Sequence, residues 1–274
     1  MHRLSVASDA PALIIAVPGT ASARDNDLIE HIAEAAAESC AGATIVVAYL
    51  GTGDGTGDGS GEGRRDPDGA DSLANALASA PVQTDERMPR AVVVPLLAGP
   101  HPDYDVQIGS AVAASDVPVM VSAHLGPHPL LAGALHDRLS EVGLARVSRA
   151  LGLSLSVGSD GVLLVADRGP AAVSDAGLTA ILLAGRLAAP VHPASLGDQA
   201  SIDAALTRLN EAGAKRPAIS PCVIGPETNM AEFERLSASL GAPCAAPLGS
   251  HAAVSQLIAA RYGEALARMT AVSH

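Results

Sequence analysis

Short runs of apolar and often β-branched residues alternate along the chain with longer Ala- and Leu-rich stretches, in which apolar positions recur every three or four residues. The short runs predict strands and the longer stretches predict helices. Strands are predicted at 13–17, 44–49, 91–96, 117–122, 162–165, 189–192 and 218–224. Helices are predicted at 26–40, 72–80, 106–115, 128–142, 177–188, 201–212, 230–240 and 252–269. This alternation is typical of an α/β fold with a parallel sheet covered on both faces.

Three segments of the first half of the sequence recur in the second half in the same order. The pairs are 125–128 (LGPH) with 248–251 (LGSH), 94–101 with 220–227, and 13–17 with 163–167. Glycine and aspartate follow the last pair at the same spacing, as Gly19 and Asp25 in the first copy and as Gly169 and Asp175 in the second. Since three matches in register indicate a duplication, we predict two homologous domains at 1–150 and 151–274. Each is expected to be a small open sheet of about four strands.

Composition and charge exclude several classes of partner. Of the 274 residues, 48% are apolar, but the chain has one Phe, three Tyr and no Trp, too few aromatic faces for stacking on nucleic-acid bases. Seventeen basic against 29 acidic residues give a net charge of −12, which repels polyphosphates and anionic membranes. We therefore expect neither nucleic acid nor membrane as a partner.

The cysteines and the longest apolar runs indicate the compartment. Cys40, Cys222 and Cys244 are odd in number and far apart, and none lies in a CxxC motif. Neither a disulfide framework nor a thiolate zinc site is therefore expected. Apolar runs fall well short of the roughly 20 residues that span a bilayer. These features predict a protein of the reducing cytoplasm.

A Gly- and Asp-rich stretch at 51–71 contains six acidic and two basic residues. It resembles calcium-binding repeats only in its Gly/Asp alternation, because it lacks the apolar residue that each such repeat needs for its core. We therefore expect a solvated insertion.

Two loops at predicted strand ends carry candidate chemistry, because ligands of open α/β sheets bind outside the carboxyl ends of the strands. After the first strand, Gly19 permits close approach of a ligand, and the start of the next helix offers N–H groups to an anion. An ordinary turn is the alternative. After the third strand, His101 lies between two prolines, where a neutral imidazole can bind a divalent metal or accept a proton. A solvent-facing histidine is the alternative there.

The other histidines and the known motifs add little. His128 and its repeat partner His251 are expected at helix starts, bonded to neighbouring carbonyls, while His31, His136 and His192 are expected to be surface or packing residues. The sequence has no GxSxG, P-loop or HExxH motif, which argues against serine hydrolysis, nucleotide triphosphate chemistry and zinc proteolysis. No nucleotide cofactor is expected.

The loops after the first and third strands, together with the segment LGPHPLL, resemble the sirohydrochlorin chelatase family. These are small metal-inserting enzymes of cobalamin and siroheme synthesis. The resemblance covers nearly the whole chain and is strongest at 123–139 and at 92–101, while 247–266 resembles the degenerate second copy of two-domain members.

The resemblance implies two α/β lobes with a cleft between them. It also implies a lyase that inserts a divalent metal, Co²⁺ or Fe²⁺, into an octacarboxylate tetrapyrrole without ATP. The metal is then a substrate. Insertion requires the ion to lose water while two pyrrole N–H protons leave, so imidazoles suit both metal coordination and proton acceptance.

The family's functional residues match this sequence only in part. His101 matches the histidine after the third strand, and Asp105 matches an acidic position beyond it. Pro18 stands where the family has its first-strand histidine, and Gly51 stands where it has an acidic residue. Further metal ligands would then come from the substrate, from Glu227, which is the repeat partner of His101, or from His124.

Binding of an octacarboxylate by an acidic protein requires local positive charge. Arg24 and Arg168, near the equivalent strand-end loops of the two halves, are candidates with Gly19 and Thr20, although both arginines can equally face solvent.

Three hypotheses follow. The first is an active chelatase built on His101. The second is a catalytically silent homologue that binds a tetrapyrrole, a metal or a partner protein, and the third is a dinucleotide or small-anion enzyme at the Gly19 loop. A monomer or a homodimer is expected.

Overall fold

The described part of the chain contains every predicted strand and helix. A computed structural model describes residues 10–20, 23–40, 42–51, 72–83, 88–144 and 159–272, so the insertion beyond Gly51 lies outside it. The strands are β1 Ala12–Val17, β2 Ile45–Tyr49, β3 Ala91–Pro95, β4 Val119–Val121, β5 Gly161–Ala166, β6 Val191–Ser195 and β7 Pro217–Cys222. The helices are α1 Ala23–Ser39, α2 Leu73–Ala78, α3 Pro102–Ala113, α4 Pro129–Glu141, α5 Pro170–Leu187, α6 Gln199–Glu211, α7 Met230–Leu240 and α8 Ala252–Val272.

Two helices begin well before their predicted starts, and both begin at a proline. Helix α3 starts at Pro102 rather than at residue 106, and α5 starts at Pro170 rather than at residue 177. Proline suits the first helical position because its fixed φ is helical and its missing N–H has no intrahelical partner there. Sequence analysis placed these prolines in loops, which shortened both predicted helices.

Two parallel sheets confirm the predicted α/β fold. Their strand orders are β2-β1-β3-β4 and β6-β5-β7. Every residue of β1 and β5 is buried, as expected for a central strand covered on both faces. The second sheet has three strands instead of about four. Cys244 forms only an isolated bridge to Ile219, since Pro243 and Pro247 on either side have no N–H to extend a ladder.

The chain forms two compact units. The first comprises the described residues of Met1–Leu96, Asp103–Ala123 and Ser255–His274, and the second comprises those of Leu97–Pro102 and His124–Val254. The second unit therefore contains the short segment after β3 and helix α4 together with the three-stranded sheet. In the first unit, Tyr262 Oη of α8 donates to the Pro11 carbonyl before β1 at 2.7 Å. The predicted boundary at residue 150 lies outside the described residues and stays a prediction.

Backbone hydrogen bonds recur at repeat positions within the second unit. Leu125 and Gly126 donate to the carbonyls of Leu97 and Ala98, and Leu248 and Gly249 donate to those of Val223 and Ile224, at 2.8–3.1 Å. The loops that carry His101 and Glu227 are thus held by equivalent bonds, which supports the equivalence of these two residues.

The strand register corrects one sequence match by a single residue. Leu50 donates to the Val17 carbonyl, and Leu196 donates to the Ala166 carbonyl, both at 2.9 Å. Val17 therefore corresponds to Ala166, whereas the sequence match paired it with Asp167. The pairing with the neighbouring strands gives the same correspondence. Val93 lies opposite Ile14, and its repeat partner Ile219 lies opposite Leu163. Pro18 consequently corresponds to Asp167.

Gly126 occupies a position that admits no side chain. A Cβ atom there would overlap the Ala98 carbonyl oxygen and lie 2.7 Å from Leu131 Cδ2. This close approach lets the segment before α4 bond to the segment that carries His101.

No described helix is long and apolar enough to cross a bilayer.

We predict that Gly126→Ala lowers the free energy of unfolding by about 1–3 kcal/mol, because the added methyl group must displace backbone. Urea denaturation measures the effect. Gly177→Ala in α5 is the control, since nothing lies within 4 Å of its Cβ position, and it should stabilise the fold by about 0.5–1 kcal/mol. Equal midpoints for Gly126→Ala and the parent chain would contradict the packing described.

Candidate functional site

Ionisable side chains from three segments of the second unit meet at one end of its sheet. Asp167 directly follows β5, Glu227 lies in the loop after the neighbouring strand β7, and His101 lies in the segment after β3. In the order β6-β5-β7, the chain passes from β5 to β6 on one side and then crosses to β7 on the other side, so the winding direction changes between β5 and β7. This is the switch point at which open α/β sheets bind their ligands.

His101 and Asp167 form a buried pair. The distance from His101 Nε2 to Asp167 Oδ2 is 3.3 Å, and their side chains are only 10% and 11% exposed. Burial raises the pKa of Asp167, while the neighbouring His101 and the backbone N–H of Arg168 act in the opposite direction. The carboxyl group is therefore more basic than an ordinary aspartate, and an imidazole nitrogen lies within reach of it.

A small cavity of about 20 Å³ lies against this pair. A cavity of this size holds about one water molecule, so it also suits a single metal ion but not a macrocycle. Its lining residues are Leu97, Ala98, Gly99, Pro100, His101, Ala166, Asp167, Ala172, Ala176, Thr179, Cys222 and Glu227.

Glu227 shares the cavity with His101, but its own loop holds its carboxyl group. Its Oε1 accepts from the N–H of Ile224 at 2.5 Å, and its Oε2 accepts from the N–H of Gly225 at 2.7 Å. Burial raises the pKa of Glu227 to about 7, and the charge of Asp167 adds to this, although the two N–H groups lower it. Glu227 can thus exchange a proton near neutral pH.

Cys222 also lines the cavity and stays protonated. Burial, together with the charge of Glu227, raises its pKa to about 12. A thiol rather than a thiolate therefore faces the cavity, which makes Cys222 a poor nucleophile and a poor metal ligand at neutral pH.

Ser195 at the end of β6 holds the turn that carries Asp167. Its buried Oγ accepts from the N–H of Gly169 at 3.1 Å and donates to the Asp167 carbonyl at 3.3 Å. The N–H of Ser195 in turn donates to Ser201 Oγ at 3.1 Å. Sequence analysis missed Ser195, since nothing in the sequence pairs β6 with this turn.

The predicted site residues separate into two groups. His101, Glu227 and Arg168 belong to the second unit, where Arg168 is 62% exposed and its Nη2 lies 2.7 Å from Glu232 Oε1. Gly19 and Thr20 belong to the first unit, at the end of β1. Gly19 has a φ of 81° and accepts from the N–H of Gly51 at 2.9 Å, while the side chain of Arg24 lies outside the described part.

The two positions at which the sequence departs from the family pattern also lie after strands of the first unit. Pro18 is buried directly after β1, and Gly51 follows β2 with a φ of 80°. The counterpart of Gly51 in the second half is Gly197, with a φ of 77°. Neither glycine position can supply a side-chain ligand.

The helix-start histidines cap N–H groups instead of bonding carbonyls as expected. His128 Nδ1 accepts from the N–H of Leu130, and His251 Nδ1 accepts from the N–H of Ala253, both at 3.1 Å. The expectation was wrong because the first turn of a helix presents N–H groups that lack partners. His124, the other candidate ligand, is half-buried and does not line the cavity.

Asp167 is the main residue that sequence analysis missed. The one-residue error in the repeat match hid the fact that an aspartate stands in the second half where Pro18 stands in the first. Within the described ranges, no three or more His, Cys, Asp or Glu side chains are arranged to hold a metal ion. The cavity therefore offers an incomplete ligand set centred on His101 and Asp167.

Comparison with known proteins identifies the fold. The solved structure of SirB from Bacillus subtilis with Fe³⁺ matches with a TM-score of 0.63 at 16% identity, over 95% of this chain and 98% of that one. This chain has the fold of SirB. A periplasmic binding protein from Burkholderia mallei matches over 86% of this chain and 60% of its own at 12% identity. Its TM-score of 0.33 is too low to indicate a shared fold. No protein-family model and no curated protein sequence matches.

Proposed function

We propose that this protein binds a divalent metal ion at the His101–Asp167 pair and inserts it, without ATP, into sirohydrochlorin or a related tetrapyrrole. The observation that carries the proposal is the buried pair itself, 3.3 Å apart beside an ion-sized cavity at the switch point of the sheet. The chelatase fold shared with SirB, which was solved with Fe³⁺, supports it.

The donor atoms suit the proposed metals. Imidazole nitrogen with carboxylate oxygen is a ligand set that Fe²⁺ and Co²⁺ accept. A carrier that must surrender its ion gains from having few protein ligands, since water and then pyrrole nitrogens can occupy the remaining positions. The absence of a three-residue cluster among the described residues is compatible with such transient binding.

The cavity restricts where the macrocycle lies. A tetrapyrrole is far larger than the ~20 Å³ cavity, so it would lie against the cavity mouth with its nitrogens toward the ion. The bound ion would then pass from His101 and Asp167 to the ring nitrogens over a short distance.

The carboxyl groups of Asp167 and Glu227 can accept the protons that leave the macrocycle. As the ion enters, two pyrrole N–H bonds break, each nitrogen keeps its electron pair to bind the metal, and each proton passes to a base. Burial raises the pKa of Glu227 to about 7, which makes it a suitable proton acceptor near neutral pH. Burial also raises the pKa of Asp167, which can accept a proton once the ion has left it.

A catalytically silent homologue is the second candidate function. It is favoured by Pro18 and Gly51, which provide no ligand at two positions where the family has a histidine and an acidic residue. Such a protein would bind the metal or the tetrapyrrole without joining them.

We predict that His101→Gln and Asp167→Asn each weaken Co²⁺ binding at least tenfold, because each removes a direct ligand. Both should also abolish Co²⁺ insertion into sirohydrochlorin above the uncatalysed rate. Calorimetric titration and the absorbance change of the macrocycle measure the two effects. His31→Gln, on an exposed face of α1, is the matched control and should behave as the parent chain.

Two results would decide between the candidates. Binding of Co²⁺ that depends on His101, without insertion, would identify the silent homologue. Unchanged Co²⁺ affinity in His101→Gln would contradict metal binding at this pair.

We predict that the insertion rate rises with pH through about 7. Below this pH Glu227 is protonated and cannot accept a pyrrole proton, and above it the carboxylate is available. Glu227→Gln should remove this inflection from the pH–rate profile while leaving Co²⁺ binding by His101 measurable. An identical profile in Glu227→Gln would show that another group accepts the proton.

A further inference from the structure

We propose that a groove beside β6 binds a carboxylate arm of the macrocycle through Arg168, and that Glu232 competes with this arm. The β6 groove lies between the turn after β5 and the turn after β6, is lined by residues within 168–173 and 195–201, and has a volume of about 430 Å³. The inference rests on the proposed function, since it assigns a binding site to a peripheral carboxylate arm of the same substrate.

The position of the groove follows from two consecutive residues. Asp167 lines the ion-sized cavity, and Arg168, the next residue, lines the β6 groove. Both residues lie in the turn between β5, which ends at Ala166, and α5, which begins at Pro170, so the cavity and the groove lie beside the same turn. A macrocycle whose centre faces the ion beside Asp167 therefore has part of its edge near Arg168.

The guanidinium of Arg168 lies beside Gly197, which lines the groove without a side chain. A Cβ atom at Gly197 would lie 3.9 Å from Arg168 Nη1, and both Gly197 and Gly169 have left-handed φ angles. Glycine at position 197 keeps the groove open beside the guanidinium. The ring of a tetrapyrrole does not need to enter, because a single flexible arm is much smaller than the groove.

Arg168 already binds one carboxylate, which shows the chemistry it offers. Its Nη2 donates to Glu232 Oε1 at 2.7 Å, and this contact uses one of the five N–H donors of a guanidinium. Arg168 is 62% exposed, and exposed ion pairs contribute little to stability. A substrate carboxylate can therefore replace Glu232 at low cost.

Among the surrounding charged groups, Glu232 is the main competitor of a substrate carboxylate for Arg168. Arg235, one helical turn beyond Glu232, lines an adjoining cavity of about 330 Å³ that shares Leu196 and Gly197 with the groove. Asp198, the acidic residue that lines the groove itself, accepts from the N–H of Ser201 at the start of α6 at 3.1 Å. Arg168 and Arg235 therefore provide local positive charge in a chain whose net charge is −12.

Fluorescence titration with uroporphyrin, a metal-free octacarboxylate porphyrin, tests the assignment at low salt. Arg168→Gln should weaken binding about three- to fivefold, and Glu232→Gln should strengthen it by a similar factor. Glu234→Gln, an exposed change of equal charge on the same helix, should leave the affinity unchanged. In Arg168→Gln/Glu232→Gln the second change should have no further effect, because the competition requires Arg168.

The outcomes separate the groove from the metal site. Unchanged or weakened uroporphyrin binding in Glu232→Gln, beside normal Co²⁺ insertion, overturns the groove assignment alone. The predicted shifts in a protein that inserts no metal support the groove and overturn the proposed insertion activity.

Discussion

Burial of an imidazole next to a carboxylate is the constraint on which the proposed site depends. Removing either group from water is costly unless the other compensates, and a buried charge left without its partner is strongly destabilising. His101 and Asp167 meet at 3.3 Å because the loop after β3 and the end of β5 are each fixed by backbone bonds and, at Asp167, by Ser195. The same pair lines the adjacent cavity, which has about the size of one ion.

Most of the fold could be predicted from the sequence, because strand and helix periods are local properties. The exceptions have physical causes. The starts of α3 and α5 were missed since proline is as common in loops as at the first helical position, and the fourth strand of the second sheet is reduced to a bridge between two prolines. Of the site, His101 and Glu227 could be found from their loop and repeat positions. Asp167 could not, because only hydrogen-bond register distinguishes it from its neighbours.

The register changes the view of the duplicated site. In the first half, the residue after the central strand is Pro18, whose side chain has no donor atom for a metal. In the second half the corresponding residue is Asp167, and the counterpart of His101 is Glu227. Asp167 and Glu227, at the switch point of the second sheet, thus correspond to Pro18 and His101 of the first half. His101 itself belongs to the same compact unit as these two carboxylates. We interpret the proposed centre as one that combines His101 of the first copy with Asp167 and Glu227 of the second.

The most direct test of this account is anomalous diffraction at the cobalt edge from crystals soaked in Co²⁺. The account predicts an anomalous peak about 2.1 Å from His101 Nε2 that also contacts the Asp167 carboxylate, with the ion inside the small cavity. A cobalt peak that lies away from both side chains, with the His101–Asp167 contact intact and the cavity empty, would contradict it.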